Sequence, residues 1–319
     1  MAIFTVLSFA ISIVLTRRIE HHFTPIFQNM VRSHVGLITF LTISLAFGIL
    51  FELFLLPIIL MFMLMLSILF NVILGDTAYL YSQKILGPAK ALAIGNISPF
   101  FTFLFAAVFL SRPITIQMIL SGILIGVGVF IIIKGKESNE IGNIADITMQ
   151  ITLNEPELKE KISKDTIKTT KGLLWALFAS ISWAIGFAIS DYSFNQANKI
   201  LDLGILSTML AMVVRFLFAS VLLGSIAFIE NQNKSFKSPP RNRSIWGVLI
   251  LSSILSYSLG SIFFGEAVHL VGASIMSLIS TAMPLFTIPF SYFINKETIS
   301  KEGFIGVIFT ILGVVLIVI

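Results

Sequence analysis

The chain has 319 residues, 56% of them hydrophobic and 12% charged, with a formal net charge of +5 and no cysteine. A soluble domain carries about a quarter charged residues, so the composition excludes an ordinary water-soluble globule. The missing cysteines exclude a disulfide framework, thiolate metal sites and a thiol nucleophile.

A helix crossing ~30 Å of hydrocarbon needs ~20 apolar residues. Taken from the N-terminus, segments that meet or approach this length occupy 1–16, 31–51, 53–74, 88–110 and 114–133. A second set follows at 173–190, 205–229, 245–267, 270–294 and 303–319. A signal peptide is the competing reading of 1–16, but Arg17 and Arg18 follow the apolar run, whereas a signal peptide has its basic region first. The segment is expected to be a true first span. Between the fifth and sixth segments, 135–171 is rich in Lys, Glu, Asn and Thr. It reads as a solvated linker, partly disordered or partly helical around EPELKEKISKD. The expected organisation is a five-helix unit over 1–134, the linker over 135–171, and a second five-helix unit over 172–319.

The two units repeat. At an offset of 185, Leu74-Gly75 matches Leu259-Gly260, Gly87 matches Gly272, Pro99 matches Pro284, and Gly128-Val129 matches Gly313-Val314. Thr102 matches Thr287, and Phe105 matches Phe290. Earlier in each unit, with shifted offsets, Phe9-Ala10-Ile11 faces Trp183-Ala184-Ile185 and Val31-Arg32 faces Val214-Arg215. An odd number of spans per unit makes the second enter from the opposite side. The expected fold is therefore an all-α membrane protein of ten transmembrane helices in two inverted five-helix repeats, an arrangement in which carriers hold substrate near the midplane.

The repeated prolines point to a site. Proline lacks an N–H and crowds the carbonyl four residues earlier, so Pro99 is expected to free the Gly95 carbonyl and Pro284 that of Ser280. In hydrocarbon such a carbonyl needs a partner in protein or in a wet cavity. Asn96, Ser98 and Thr102 stand nearby in one copy; Ser280, Thr281 and Thr287 do so in the other.

The segments GPAKALAIGNISPFFTFLFAAVFLSRPITIQMILSGILIGVGVFII and GASIMSLISTAMPLFTIPFSYFINKETISKEGFIGVIFTILGVVLIV carry a further inference. Each leads from small residues to a proline, an apolar run, a short charged turn and a glycine-bearing last helix. This pattern resembles the drug/metabolite transporter superfamily, in particular its EamA-type members with ten helices. The resemblance covers the chain apart from the linker and implies a carrier of small metabolites such as amino acids, nucleosides or amphiphilic drugs, often exported. It also implies cavity walls from the first, third, fourth, sixth, eighth and ninth spans, and both termini in the cytoplasm. The charge distribution implies the opposite orientation. Seventeen of the 21 lysines and arginines fall on the side of the linkers after odd-numbered spans, against Arg112 and Lys199 on the other side, and basic loops stay inside.

Several residues have two readings. Arg32 and Arg215, at the starts of the second and seventh spans, are either interface anchors that snorkel or cavity cations for a substrate carboxylate or phosphate. Asp76 and Glu266, near the ends of the third and eighth spans, are either solvated at helix ends or coupling-proton carriers. Trp183 is a packing residue or a stacking wall for a planar substrate. Trp175 and Trp246 suit interface anchors. Gly122-x-x-x-Gly126 permits a close contact within the bundle or between two copies, so a monomer and a homodimer both stay open. His21, His22, His34 and His269 are scattered near span ends, which suits no metal site or relay.

The expected function is thus a secondary carrier in the cell membrane, multi-pass, binding a small-molecule substrate and a coupling proton among lipids, with no cofactor and no nucleic acid. The small uncharged groups around the prolines favour an uncharged or zwitterionic solute. Rival classes are an intramembrane enzyme, for which HExxH and GxSxG are both missing, and a membrane sensor or scaffold that docks through the linker.

Overall fold

The computed structural model describes residues 1–86, 88–110, 114–128, 130–131, 155–232, 242–295 and 301–318. Gly87, Arg112, Val129, the linker over 135–154 and the side chain of Pro284 lie outside that description. All regular structure among the described residues is helical.

The helix α1 spans Ala2–Arg17 and α2 spans Pro25–Ala46. The Thr24 side chain accepts the Phe27 N–H at 3.2 Å, and Pro25 takes the first helical position, where a missing N–H removes no helical bond. This cap starts α2 six residues before the apolar run. Arg32, expected at a span edge, therefore sits two turns inside a helix. α3, Ile58–Leu86, runs well beyond the expected end at residue 74. Asp76 consequently lies ten residues before the helix end, not at a solvated terminus.

The first unit continues with α4 (Pro88–Gly95), α5 (Ser98–Leu110) and α6 (Ile116–Gly128). α7, Glu155–Leu201, includes the EPELKEKISKD stretch in one helix with the sixth span. α8 covers Ile205–Gln232, and α9 covers Arg243–Thr281. α9 bends at Gly272, whose φ of 80° and ψ of 166° suit a residue without a Cβ. α10 (Met283–Asn295) and α11 (Lys301–Val318) complete the chain.

The repeat is visible in backbone geometry. In α3, Leu69–Asp76 winds as π-helix, and in α9 Ile254–Gly260 does the same, starting 185 residues later. Such widened turns are rare and concentrate at functional sites. The break between α4 and α5 falls at Asn96-Ile97, and that between α9 and α10 at Ala282. The Ile97 N–H reaches the Ile94 carbonyl at 3.1 Å, and the Phe100 N–H reaches Ile97 at 3.1 Å. In the second unit Ala282 N–H reaches Ile279 at 3.1 Å, and Leu285 N–H reaches Ala282 at 2.9 Å. The same two bonds recur at the same offset.

The prolines act differently from the sequence expectation. Pro99 and Pro284 are each the second residue of a new helix, α5 and α10, a place proline tolerates because first-turn N–H groups have no helical acceptor. They start helices after a break and do not kink one continuous helix. The carbonyl found with an added partner is that of Ile94, which accepts the Ser180 hydroxyl at 2.9 Å.

Contacts between α6 and α11 give the relative direction of the units. A Cβ on Gly128 would lie 2.6 Å from the Gly306 carbonyl and 2.5 Å from Thr310 Oγ1. A Cβ on Gly313 would lie 2.9 Å from the Ser121 carbonyl and 2.6 Å from Ile125 Cγ1. Residues 121, 125 and 128 correspond to 306, 310 and 313 under the 185 offset, so each contact is the mirror of the other. Reciprocal contacts of this kind mark a two-fold relation. The C-terminal end of α6 meets the earlier part of α11 and the reverse, so the two helices are antiparallel. Leucine at Gly128 is expected to force them apart at a cost of about 1–3 kcal/mol, read as a lower melting temperature in detergent. An unchanged melting temperature would deny the contact.

A second reciprocal pair lies deeper. Trp183 of the second unit packs on Gly75, where a Cβ would sit 2.5 Å from its ring, and Phe9 of the first unit packs on Gly260, at 3.2 Å. Gly260 ends its π-helical stretch and Gly75 is the last residue but one of the other. Across the units, Ser12 Oγ donates to the Ser252 carbonyl at 2.8 Å, and the hydroxyls of Thr39 and Ser258 are 2.6 Å apart.

Four described helical stretches, Ile58–Leu86, Thr169–Leu201, Ile205–Glu230 and Arg243–Thr281, are long and apolar enough to cross a membrane. Shorter apolar helices accompany them, including Ala2–Arg17 and Ile116–Gly128. Large apolar side chains such as Phe54, Ile58, Ile116 and Phe293 are exposed on the outer surface, as a lipid-facing wall requires.

Candidate functional site

A cavity of about 160 Å³ lies between the units. α3 and α9 contribute the largest share of its wall, and α1, α2, α4, α7 and α8 complete it together with Ser98 and Met283, the first residues of α5 and α10. No residue of α6 or α11 lines it among those described. Arg32, Met212, Arg215 and Phe216 add the second and seventh spans to the walls that resemblance implied.

The polar centre is built by the π-helical turns. Tyr257, in the turn of α9, donates its hydroxyl to Asp76 Oδ2 at 2.5 Å, and Asp76 ends the turn of α3. The other carboxylate oxygen accepts the Trp183 indole N–H at 2.8 Å. Tyr257 also lies under Arg32, whose Cζ is 4.2 Å from the ring centroid. Arg32 donates to Asn29 Oδ1 and to Ser256 Oγ, both at 3.1 Å. Asn29 in turn donates to Thr77 Oγ1 at 2.9 Å. A wider turn lets Ser256, Tyr257 and Ser258 all reach α2 or α3.

Arg215 stands in a different setting. One of its nitrogens donates to Ser190 Oγ at 2.7 Å, and its Cζ lies 5.0 Å from the centroid of Phe194. Both arginines are deep, with 7% of Arg32 and 3% of Arg215 exposed. The snorkelling reading does not fit that depth. Among the described residues two guanidinium groups and one carboxyl group thus border the cavity, where the groups nearest the prolines had suggested none.

Of the other residues singled out in the sequence, Asn96, Ser98, Trp183, Ser280 and Thr281 border the cavity. Asn96 Nδ2 and Ser98 Oγ are buried without a hydrogen-bond partner. The Ser280 hydroxyl donates to the Met276 carbonyl at 2.8 Å and that of Thr281 to the Leu278 carbonyl at 2.6 Å. Pro99 is buried outside the lining. The hydroxyls of Thr102 and Thr287 turn back on their own helices, to the carbonyls of Ser98 at 3.0 Å and Met283 at 2.9 Å, so they brace the new helices and do not face the cavity. Pro284 holds the corresponding place in α10.

Glu266 is away from the cavity lining, with Oε2 buried and unpartnered. His269, on the same helix, contacts Asn195 Oδ1 at 3.1 Å and Asn198 Nδ2 at 3.0 Å. In Gly122-x-x-x-Gly126, a Cβ on Gly122 would lie 3.6 Å from Leu278 Cδ2, an ordinary contact within the bundle, and one on Gly126 would meet nothing within 4 Å. No group of three metal-ligating side chains occurs among the described residues.

Sequence reasoning did not find Tyr257, Asn29, Ser190 or Asp191. Asp191 accepts the Ala273 N–H at 2.8 Å, directly after the Gly272 bend, and also binds Asn195. It lay one residue beyond the expected sixth span, and α7 continuing to Leu201 is what buries it. Tyr257 had no distinguishing signal, because its partner under the repeat is Val72.

The chain matches the EamA-like transporter family over residues 1–134 and 170–319, and it belongs to that family. It is 23% identical over 253 residues to an uncharacterized transporter of Archaeoglobus fulgidus, covering 79% of this chain and 74% of that protein. An uncharacterized transporter of Clostridium kluyveri is 31% identical over 106 residues, 33% of each chain. A solved crystal structure shares the fold at a TM-score of 0.72 and 13% identity, covering 99% of this chain and 94% of its own. The protein is a membrane transporter with the two-repeat fold of its family.

Proposed function

We propose that the chain is a secondary active carrier, an exporter of a small metabolite, working by alternating access across the cell membrane with multiple passes through it. The observation that carries the reading is the cavity between antiparallel units, bordered on both sides by repeat-related helix breaks and π-helical turns. Broken helices offer polar groups at depth without exposing them to lipid. Rocking one unit against the other about their two-fold would open the same cavity first to one side and then to the other.

In this reading Asn96, Ser98, Trp183, Ser280 and Thr281 touch the solute, Arg32 and Arg215 supply its electrostatic environment, and Pro99, Pro284, Thr102 and Thr287 fix the two breaks. Asp76 is the coupling-proton carrier. It borders the cavity and has two donors that stabilise its ionised form, whereas Glu266 does not border it.

Purified chain in vesicles, tested against labelled carboxylates, amino acids and nucleosides, is expected to show saturable flux. Asn96→Leu removes an amide that has no internal partner, so it is expected to cut flux to about a tenth or less, in line with one lost hydrogen bond to a charged group, with little change in melting temperature. Thr281→Leu tests the second break, removing a hydroxyl that donates to the Leu278 carbonyl. Flux unaltered by both changes would move the solute site elsewhere. Absence of flux, with a solute consumed in detergent, would favour an enzyme.

A further inference from the structure

We infer that the transported solute is a small organic monoanion whose carboxylate docks on Arg215. The inference rests on the carrier reading and names its substrate class.

The argument starts from charge. Among the described residues bordering the cavity, only Arg32, Arg215 and Asp76 carry a guanidinium or carboxyl group. Arg32 is compensated: Tyr257 lies beneath its guanidinium and donates to Asp76, so the arginine and the carboxylate belong to one hydrogen-bonded cluster. Arg215 is not. Its contacts are a serine hydroxyl and a phenylalanine face; its Nε, like that of Arg32, is buried with no partner. Among the described residues no carboxylate makes an ion pair with it. Asp191, next in sequence to Ser190, directs its carboxylate to the Ala273 N–H and to Asn195.

Arginine keeps its proton in proteins, and an uncompensated buried guanidinium is strongly unfavourable. With Asp76 ionised the cavity carries one excess positive charge, and a single negative charge restores balance. The guanidinium fork fits a planar carboxylate through two parallel bonds. A dianionic phosphate would leave an excess negative charge in the same space.

The rest of the wall selects the body of the solute. Phe9, Phe187, Phe216, Phe264 and Trp183 border the cavity, and a void of about 150 Å³ lined by apolar groups accepts one benzene ring. A cavity of about 160 Å³ therefore suits a carboxylate attached to one ring or to a comparable aliphatic body.

The test compares acids with their neutral amides of the same shape: benzoate with benzamide, and phenylacetate with phenylacetamide, each titrated against the purified full chain by thermal shift and calorimetry. The acids are expected to raise the melting temperature and the amides to leave it unchanged. Arg215→Gln is expected to weaken acid binding at least tenfold, and Arg215→Lys to keep part of the acid preference. Amides that bind as well as acids, or no stabilisation by either acid, would overturn the inference, as would Arg215→Gln binding acids like the parent chain. Should Arg215→Gln not fold, the acid–amide comparison on the parent chain decides alone. Vesicle flux separates the two readings. Acid binding with no flux for any solute would leave the anion site standing and remove the carrier. Saturable flux of neutral or cationic solutes, with acids inert, would do the reverse.

Discussion

Asp76→Ala is expected to cost about 3–5 kcal/mol of stability, the range for removing one partner from a buried charged cluster. Three groups lose their acceptor or countercharge at once: the Tyr257 hydroxyl, the Trp183 indole N–H and the Arg32 guanidinium above Tyr257. The cost is in the orphaned groups more than in the lost carboxylate. Asp76→Asn tests this directly. It keeps an oxygen for one donor and removes the charge, so it is expected to cost distinctly less stability than alanine while still abolishing proton-coupled flux. Chemical unfolding in mild detergent measures the first effect, and flux driven by an imposed pH gradient measures the second. Equal stability of the alanine variant and the parent would mean that this cluster does not hold the units together.

Trp183→Ala is the second large expected loss, about 3–5 kcal/mol for truncating a packed tryptophan. The ring bridges both units: it packs against Tyr79 with centroids 5.4 Å apart and a tilt of 43°, donates to Asp76, and fills space that a Cβ at Gly75 or Gly95 would invade, at 2.5 Å and 3.1 Å. Trp183→Phe keeps most of the ring and loses the N–H, so it is expected to retain the fold with weaker solute binding. Gly75→Ala approaches the same contact from the other side. Its methyl group would collide with the indole, and flux is expected to fall although the tryptophan is still present. Normal flux in both Trp183→Phe and Gly75→Ala would assign the ring to packing alone.

Much of the fold was legible because the repeat uses residues that apolar helices rarely need. The offset of 185 linking Gly75 with Gly260 and Pro99 with Pro284 also links the π-helical turns, the helix breaks and the Thr102 and Thr287 back-bonds. The match of Phe9 with Trp183 recurs as ring-on-glycine packing at Gly260 and Gly75. What the sequence hid was depth. Hydropathy begins a span where apolar residues run unbroken, but α2 begins with PIFQNMVR, whose polar Gln28, Asn29 and Arg32 are buried by neighbouring helices. This concealed the burial of Arg32. α3 likewise passes through DTAYLYSQKIL without ending, which placed Asp76 at a false terminus. Partners from the other unit were hidden for a different reason. Tyr257 reaches Asp76 across 181 residues of chain, and only the packed structure brings them together. The prolines were expected to free carbonyls four residues earlier, and their role as helix starters depends on the turns at Asn96-Ile97 and Ala282 that precede them.

The central claim is that one cavity is reached in turn from both faces of the membrane. The chain has no cysteine, so single cysteines at Ser98 and at Ser280, both bordering the cavity, can be labelled in sealed, oriented vesicles with a membrane-impermeant maleimide applied from either side. Alternating access predicts that each position reacts from both sides and that a transported solute slows the reaction from each. Reaction from a single side only, unaffected by any solute that the vesicles transport, would contradict it.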